Sequence, residues 1–165
     1  MGTELAPAGI EDVLASLAAT PQRLASASEG VDATRLHART AEDEWSPNDI
    51  LAHLRASADV WGKSIMAMIA QDHPTLRYVS PRTWIRKTSY PEQEYQASPA
   101  AFARQRAELL RSLEALDLDG WSRGATFTGT TRGREHTVYS YARRIVQHEE
   151  EHWAQIEALL GNART

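Results

Sequence analysis

"TVYSYARRIVQHEEEHWAQIEALL", residues 137–160, decides the fold, because its apolar residues recur every three or four positions. This spacing predicts a long amphipathic helix that must bury one face against other helices. The residues predicted to face inward are Val138, Tyr141, Ile145, Ile156 and Leu159. His148 and His152 fall on the same face, one helical turn apart, so this helix carries two imidazoles into the interior.

Three further segments show helical periodicity. Residues 9–27 form the first, but they contain Pro21, so they make either one kinked helix or two short ones. Residues 46–71 form the second, in which Ser46 suits the N-cap and the proline after it suits the first helical position. Residues 98–116 form the third, which opens on a similar Ser-Pro pair. The segment quoted above is the fourth.

Two connections are long, residues 72–97 between the second and third helices and residues 119–136 between the third and fourth. Long ordered connections in small domains are often functional. The stretch ATFTGTTRGREHTV, residues 125–138, predicts a short hairpin inside the later connection. Four helices of roughly 20 residues predict an all-α four-helix bundle. We expect a single domain over residues 1–165, with its core between about 9 and 160.

The composition excludes several classes of protein. The 165 residues include no cysteine, which excludes disulfides, cysteine nucleophiles and zinc–thiolate sites. The formal net charge of −4 offers no attraction to nucleic acid or to an anionic membrane. No apolar stretch is long enough to span a bilayer, and the N-terminal residues do not resemble a signal peptide. The sequence therefore predicts a cytoplasmic protein that binds neither nucleic acid nor membrane.

The inward histidines predict a metal site. Taken singly, each is more simply interpreted as a hydrogen-bonded core histidine. However, His53 lies at the edge of the apolar face of the second helix, so it can meet His148 and His152 inside the bundle. Three imidazoles from two helices would hold one ion and leave positions open for water or substrate. The other histidines are predicted to be loop residues: His37, His73 and His136.

The segment HEEEHWAQI, residues 148–156, also contains the H-E-x-x-H pattern of zinc proteases. In such an enzyme Glu149 would act as the general base. The positions at which an extended protease pattern carries glycine and a third histidine hold Gln155 and Ala158, so this interpretation is disfavoured. Glu149–Glu151 are more simply interpreted as a solvated side of the helix.

Two short motifs together give the chain a family resemblance. EWSPNDILAHL, residues 44–54, followed far downstream by residues 148–156, resembles the DinB/YfiT-like superfamily, whose members are metal-binding helical bundles. In that family a Trp-Ser pair opens the second helix, a histidine on it is one ligand, and H-x-x-x-H on the last helix supplies two more. The matching positions are Trp45, Ser46, His53, His148, His152, Gln155 and Ile156.

The resemblance implies a DinB-like four-helix bundle with zinc, nickel or another divalent ion between the second and fourth helices. Characterised relatives use low-molecular-weight thiols such as mycothiol or bacillithiol, and many form homodimers. The Ala- and Arg-rich composition is compatible with a bacterial source that makes mycothiol.

We therefore expect His53, His148 and His152 to be the metal ligands. The functional hypothesis is a metal-dependent enzyme that acts on a small molecule, either as a thiol S-transferase or as a hydrolase using activated water. The alternative is a non-catalytic, stress-related metal-binding or interaction bundle. No catalytic residue is assigned by the sequence.

The sequence also allows predictions for residues close to these histidines, on fewer observations. Trp61 and Tyr141 share the inward faces and are predicted to be core residues. Arg144 is predicted to be a surface residue, with contact to an anionic substrate as the alternative. Asp49 is predicted to be a first-turn helix acid, with hydrogen bonding to His53 as the alternative. Four loop residues could cover the site, with no direction fixed by the sequence: Trp84, Arg86, Arg132 and Arg134.

Overall fold

The computed structural model describes residues 5–131 and 133–161 and contains four long helices. These are α1 (Pro7–Ser28), α3 (Pro47–Ala70), α5 (Ala97–Glu114) and α7 (Val138–Gly161). Three short helices lie in the connections: α2 (Ala33–Leu36), α4 (Pro81–Trp84) and α6 (Leu118–Ser122). α1 packs against α5 and α7, and α3 packs against the same two helices, which confirms the predicted four-helix bundle.

Local sequence explains how the helices begin. The Ser46 hydroxyl accepts a hydrogen bond from the Asp49 amide at 3.1 Å, and the Asp49 carboxylate accepts one from the Ser46 amide at 3.0 Å. This reciprocal capping box satisfies amides that would otherwise lack partners. Asp49 also accepts a hydrogen bond from Arg39, so it serves the helix start, as predicted, and not His53.

The structure shows whether the first helix is continuous, and it corrects the predicted start of the third long helix. α1 runs continuously through Pro21, which decides between one helix and two. α5 begins at Ala97, and Ser98 does not cap it. Instead the Ser98 side chain is buried and accepts a hydrogen bond from Arg55 on α3 at 3.1 Å. Ser98 therefore connects α5 to α3 through a hydrogen bond and does not cap α5.

A small sheet covers one end of the bundle. It consists of β1 (Thr75–Arg77), β2 (Gly124–Thr128) and β3 (Glu135–Thr137), in the order β1-β2-β3. The antiparallel β2–β3 pair confirms the predicted hairpin, whereas the parallel β1–β2 pair was not predicted. Phe127 of β2 stacks on Tyr141 of α7 at 5.0 Å, so the sheet is part of the core.

The apolar core has two parts that meet near the predicted metal site. The first lies at the end of the bundle that the sheet covers and includes Trp61, Tyr141 and Ile145. The second lies at the other end and includes Leu54 and Ile156. On α7 the two histidines fall between these parts. None of the helices in the described ranges combines the length and apolar character needed to span a lipid bilayer.

Candidate metal centre

The three predicted histidines come together between α3 and α7. His53 Nε2 lies 3.0 Å from His148 Nε2, which in turn lies 3.1 Å from His152 Nε2. Among the described residues these three form the group whose ligand atoms could hold one metal ion, all within 4.8 Å of one another. His53 is buried, and the other two are half-buried. Helical periodicity therefore predicted correctly that these three side chains meet inside the bundle.

The contacts among the imidazoles fit a metal ion better than hydrogen bonds. A neutral imidazole has one donor nitrogen and one acceptor nitrogen, so His148 Nε2 cannot form good hydrogen bonds to both neighbours. Divalent ions bind imidazole nitrogens at about 2.0–2.1 Å, so ligands in adjacent octahedral positions lie roughly 3 Å apart. The separations of 3.0 and 3.1 Å match that spacing, and the third pair of ligand atoms lies within 4.8 Å.

Gln155 fixes the orientation of one imidazole. Its Oε1 lies 2.7 Å from His152 Nδ1. Because an amide oxygen can only accept, Nδ1 carries the proton and Nε2 keeps its lone pair for the ion. By contrast, the Nδ1 atoms of His53 and His148 are buried and have no hydrogen-bond partner among the described residues. The glutamine of the family motif thus has a physical role here.

Burial keeps the imidazoles neutral. It lowers the pKa of His148 to about 3, with contributions from the other two histidines and Arg144. It lowers the pKa of His53 to about 4, with contributions from His152 and Arg82. The pKa of His152 is also lowered, mainly by burial. Neutral imidazoles at physiological pH have lone pairs available for a cation.

These shifts predict that the metal-free protein loses stability in acid. An unfolded histidine takes up a proton near its ordinary pKa of 6.5, whereas His53 and His148 in the folded protein stay neutral down to about 4 and 3. The unfolded state therefore binds more protons below about pH 6.5, and stability falls with falling pH. We expect each buried imidazole to account for about 2 kcal/mol between pH 7 and 5.

Urea unfolding in the presence of a chelator at several pH values measures this loss. The matched control is His148→Leu, which removes one of the titrating groups and should flatten the dependence on pH. An identical slope in the two proteins would contradict the expected origin of the effect.

Two tryptophan rings cover the histidines. Trp45 lies 4.8 Å from His53 and 5.9 Å from His152, between ring centroids. Trp61 lies 4.7 Å from His148 in an edge-on arrangement. Trp61 is buried, as predicted, but the sequence did not predict the contact of Trp45 with two of the histidines. Its position directly before the N-cap of α3 is the signal that could have indicated it.

An arginine stacks on each of these tryptophans. The Arg82 guanidinium lies 5.0 Å from the Trp45 ring, and that of Arg144 lies 5.1 Å from the Trp61 ring. Arg144 is half-buried, and its guanidinium also lies within 6 Å of two tyrosine rings, those of Tyr78 and Tyr141. The aromatic faces attract the cations and hold them near the imidazoles.

Glu149 is not solvated, which corrects the sequence prediction. Its carboxylate receives two hydrogen bonds from the Arg106 guanidinium, one of them at 3.1 Å. The side chains of Arg106 and Glu149 are only 2% and 5% exposed. A carboxylate held in this way cannot act as the base of a zinc protease, so the structure strengthens the argument against that interpretation.

The remaining predicted neighbours lie elsewhere. His37 is exposed, and His73 pairs with Glu135. His136 lies in β3 and not in a loop, which corrects its prediction, and it packs against Phe127 and Tyr141. Of the four loop residues, Trp84 donates a hydrogen bond to Asp59, Arg86 and Arg134 are exposed, and Arg132 lies outside the described residues.

Comparisons with known proteins agree with this architecture. A family model described as the DinB superfamily matches residues 16–156. YfiT from Bacillus subtilis, described as a probable metal-dependent hydrolase with an unusual four-helix bundle topology, is similar with a TM-score of 0.84 and 17% identity, covering 96% of this chain and 90% of YfiT. A DinB-like protein from the same organism, YjoA, is similar with a TM-score of 0.64 and 12% identity, covering 93% and 92% of the two chains. No curated protein matches the chain.

Proposed function

This chain belongs to the DinB superfamily, and on that premise we propose that it is a divalent-metal-dependent enzyme acting on a small molecule. The proposed ligands are His53, His148 and His152. The observation that carries the proposal is the convergence of their three Nε2 atoms, with separations of 3.0 and 3.1 Å. The ion is proposed to be zinc or nickel, since imidazole suits both.

The proposed reaction follows from the ligand set. A divalent ion held by the three neutral imidazoles would keep its full charge and would lower the pKa of a bound water or thiol, so that either could act as a nucleophile at neutral pH. The chain itself has no cysteine, so a thiol nucleophile would come from a small molecule such as mycothiol. The proposed activities are thiol S-transfer and hydrolysis, and the description of YfiT supports the second.

The chain's own residues have positioning roles in this proposal. Gln155 holds the proton of His152 on Nδ1, away from the ion. Trp45 and Trp61 cover the imidazoles with apolar rings, which limits the access of bulk water and strengthens electrostatic interactions at the site. A cytoplasmic location and a homodimer stay predictions from the sequence and the resemblance.

Paired assays test the proposal. The protein, purified without a histidine tag, is loaded with zinc or nickel and compared with the metal-free form. Consumption of a low-molecular-weight thiol with a panel of electrophiles reports transfer, and ester hydrolysis without thiol reports water activation. Metal-dependent turnover in either assay supports an enzyme. A stably bound ion with no turnover in both assays would favour the non-catalytic alternative.

A further inference from the structure

A cleft of about 480 Å³ leads from the surface to His152. The cleft is lined by Gln155, by the apolar residues Ile50 and Leu159, and by Trp45 and Arg82. His152, a member of the histidine cluster, lines this cleft. A small molecule in this cleft can therefore contact both His152 and the Arg82 side chain.

The Trp45 ring contacts both the Arg82 guanidinium and the His152 imidazole. The guanidinium lies 5.0 Å from the Trp45 ring, which itself stacks on His152 with an interplanar angle of 27°. Within the described ranges no carboxylate lies within 4 Å of this guanidinium. Its donors can therefore bind an anion that enters the cleft.

The segment that carries Arg82 is anchored to α3. Trp84 Nε1 donates a hydrogen bond to Asp59 at 2.9 Å, and the Tyr90 hydroxyl donates one to the same carboxylate at 2.8 Å. The Arg55 guanidinium lies 3.8 Å from the Tyr90 ring. These contacts hold the long 72–97 connection against the bundle, so Arg82 has a supported position rather than a free one.

Two acids also line the cleft, Asp43 and Glu44. Both are exposed, as Arg82 is, so water screens all three charges. The Thr40 hydroxyl donates a hydrogen bond to Glu44, which fixes part of that carboxylate. Among the described residues that line the cleft, Arg82 is the cationic side chain that can pair directly with an anion.

We propose that this cleft is the substrate pocket and that Arg82 binds an anionic group, such as a carboxylate, on the small-molecule substrate. The inference rests on the proposed function, because it places the substrate beside the metal ligands. A guanidinium presents a planar set of donors that matches a carboxylate in two parallel hydrogen bonds. The apolar lining residues Ile50 and Leu159 would contact a short aliphatic part of the same molecule.

Two probe thiols of similar size test the assignment, 3-mercaptopropionate with an anionic end and 3-mercapto-1-propanol with a neutral end. Both are titrated into the cobalt-loaded protein, and the thiolate-to-cobalt absorption band reports binding. We expect the wild type to prefer the anionic probe by roughly tenfold, which corresponds to about 1.4 kcal/mol. Arg82→Gln should lose this preference, and Arg82→Lys should keep part of it.

Arg144→Gln is the matched control. Arg144 also stacks on a tryptophan beside a histidine of the cluster, but it does not line this cleft. It should keep the preference, because only its long-range charge is removed. The inference is overturned if Arg82→Gln keeps the preference, if Arg144→Gln alone loses it, or if the wild type shows none. Cobalt content is measured first, and a wild type that binds no cobalt would instead contradict the proposed function.

Discussion

Replacing His148 with alanine is expected to remove nearly all bound metal, with a loss of affinity of at least roughly a hundredfold. His148 Nε2 is the atom that approaches the Nε2 atoms of both other histidines, at 3.0 and 3.1 Å. Its removal leaves two nitrogens on different helices and opens the ion to bulk water. Loss of a group that only orients a ligand already costs about 10–100-fold, so loss of a ligand should cost more. Elemental analysis and metal titration of the tag-free protein measure the effect.

Two further variants calibrate this result. His37→Ala removes an exposed histidine outside the cluster and should leave the metal content unchanged. Gln155→Leu removes the acceptor for His152 Nδ1 and should weaken binding by about 10–100-fold without abolishing it. A full equivalent of metal in His148→Ala, with the fold intact by circular dichroism, would show that the ion binds elsewhere.

The part of the site that the sequence predicts correctly depends on helical geometry alone. His148 and His152 share a face because they are four residues apart in a helix, and His53 lies at the edge of an apolar face near a well-capped helix start. Both facts follow from the 3.6-residue period and from local capping. Bringing the two helices together then follows from burying their apolar faces.

The features that the sequence did not predict depend on contacts between distant segments. β1 pairs with β2 through Thr75 and Thr126, and no local pattern in three residues could indicate that register. Arg82 is likewise brought onto Trp45 by the path of a long connection. Such contacts are set by tertiary packing, on which a single sequence carries little information.

Glu149 was predicted incorrectly for a related reason. The apolar face of α7 that packs on α3 was visible in the sequence, but α7 also packs against α1, so a second side of the helix is buried. Glu149 points to that second side, where Arg106 of α5 meets it and also donates a hydrogen bond to the Leu17 carbonyl of α1. Through these hydrogen bonds, Arg106 and Glu149 connect α1, α5 and α7.

This buried ion pair is expected to have a large effect on stability. Arg106→Met leaves the Glu149 carboxylate buried without its counter-charge, and Glu149→Leu does the same to the guanidinium. Removing one partner of a buried pair typically costs about 3–5 kcal/mol, because the remaining charge has lost water without compensation. The free energy of unfolding of each single variant, measured by urea denaturation, should fall by about that amount. The double variant should recover most of it, since two apolar side chains of similar volume require no such compensation.

The adjacent residue of α7 provides the matched control. Glu150 forms an ion pair with Arg23 of α1, but those side chains are 34% and 48% exposed for the arginine and the glutamate. Water solvates either charge when the other is removed, so Arg23→Met and Glu150→Leu should each cost at most about 1 kcal/mol. Equal losses for the two pairs would contradict a role for burial. The contrast would show that neighbouring glutamates in one motif differ in function because one faces the interior and the other faces solvent.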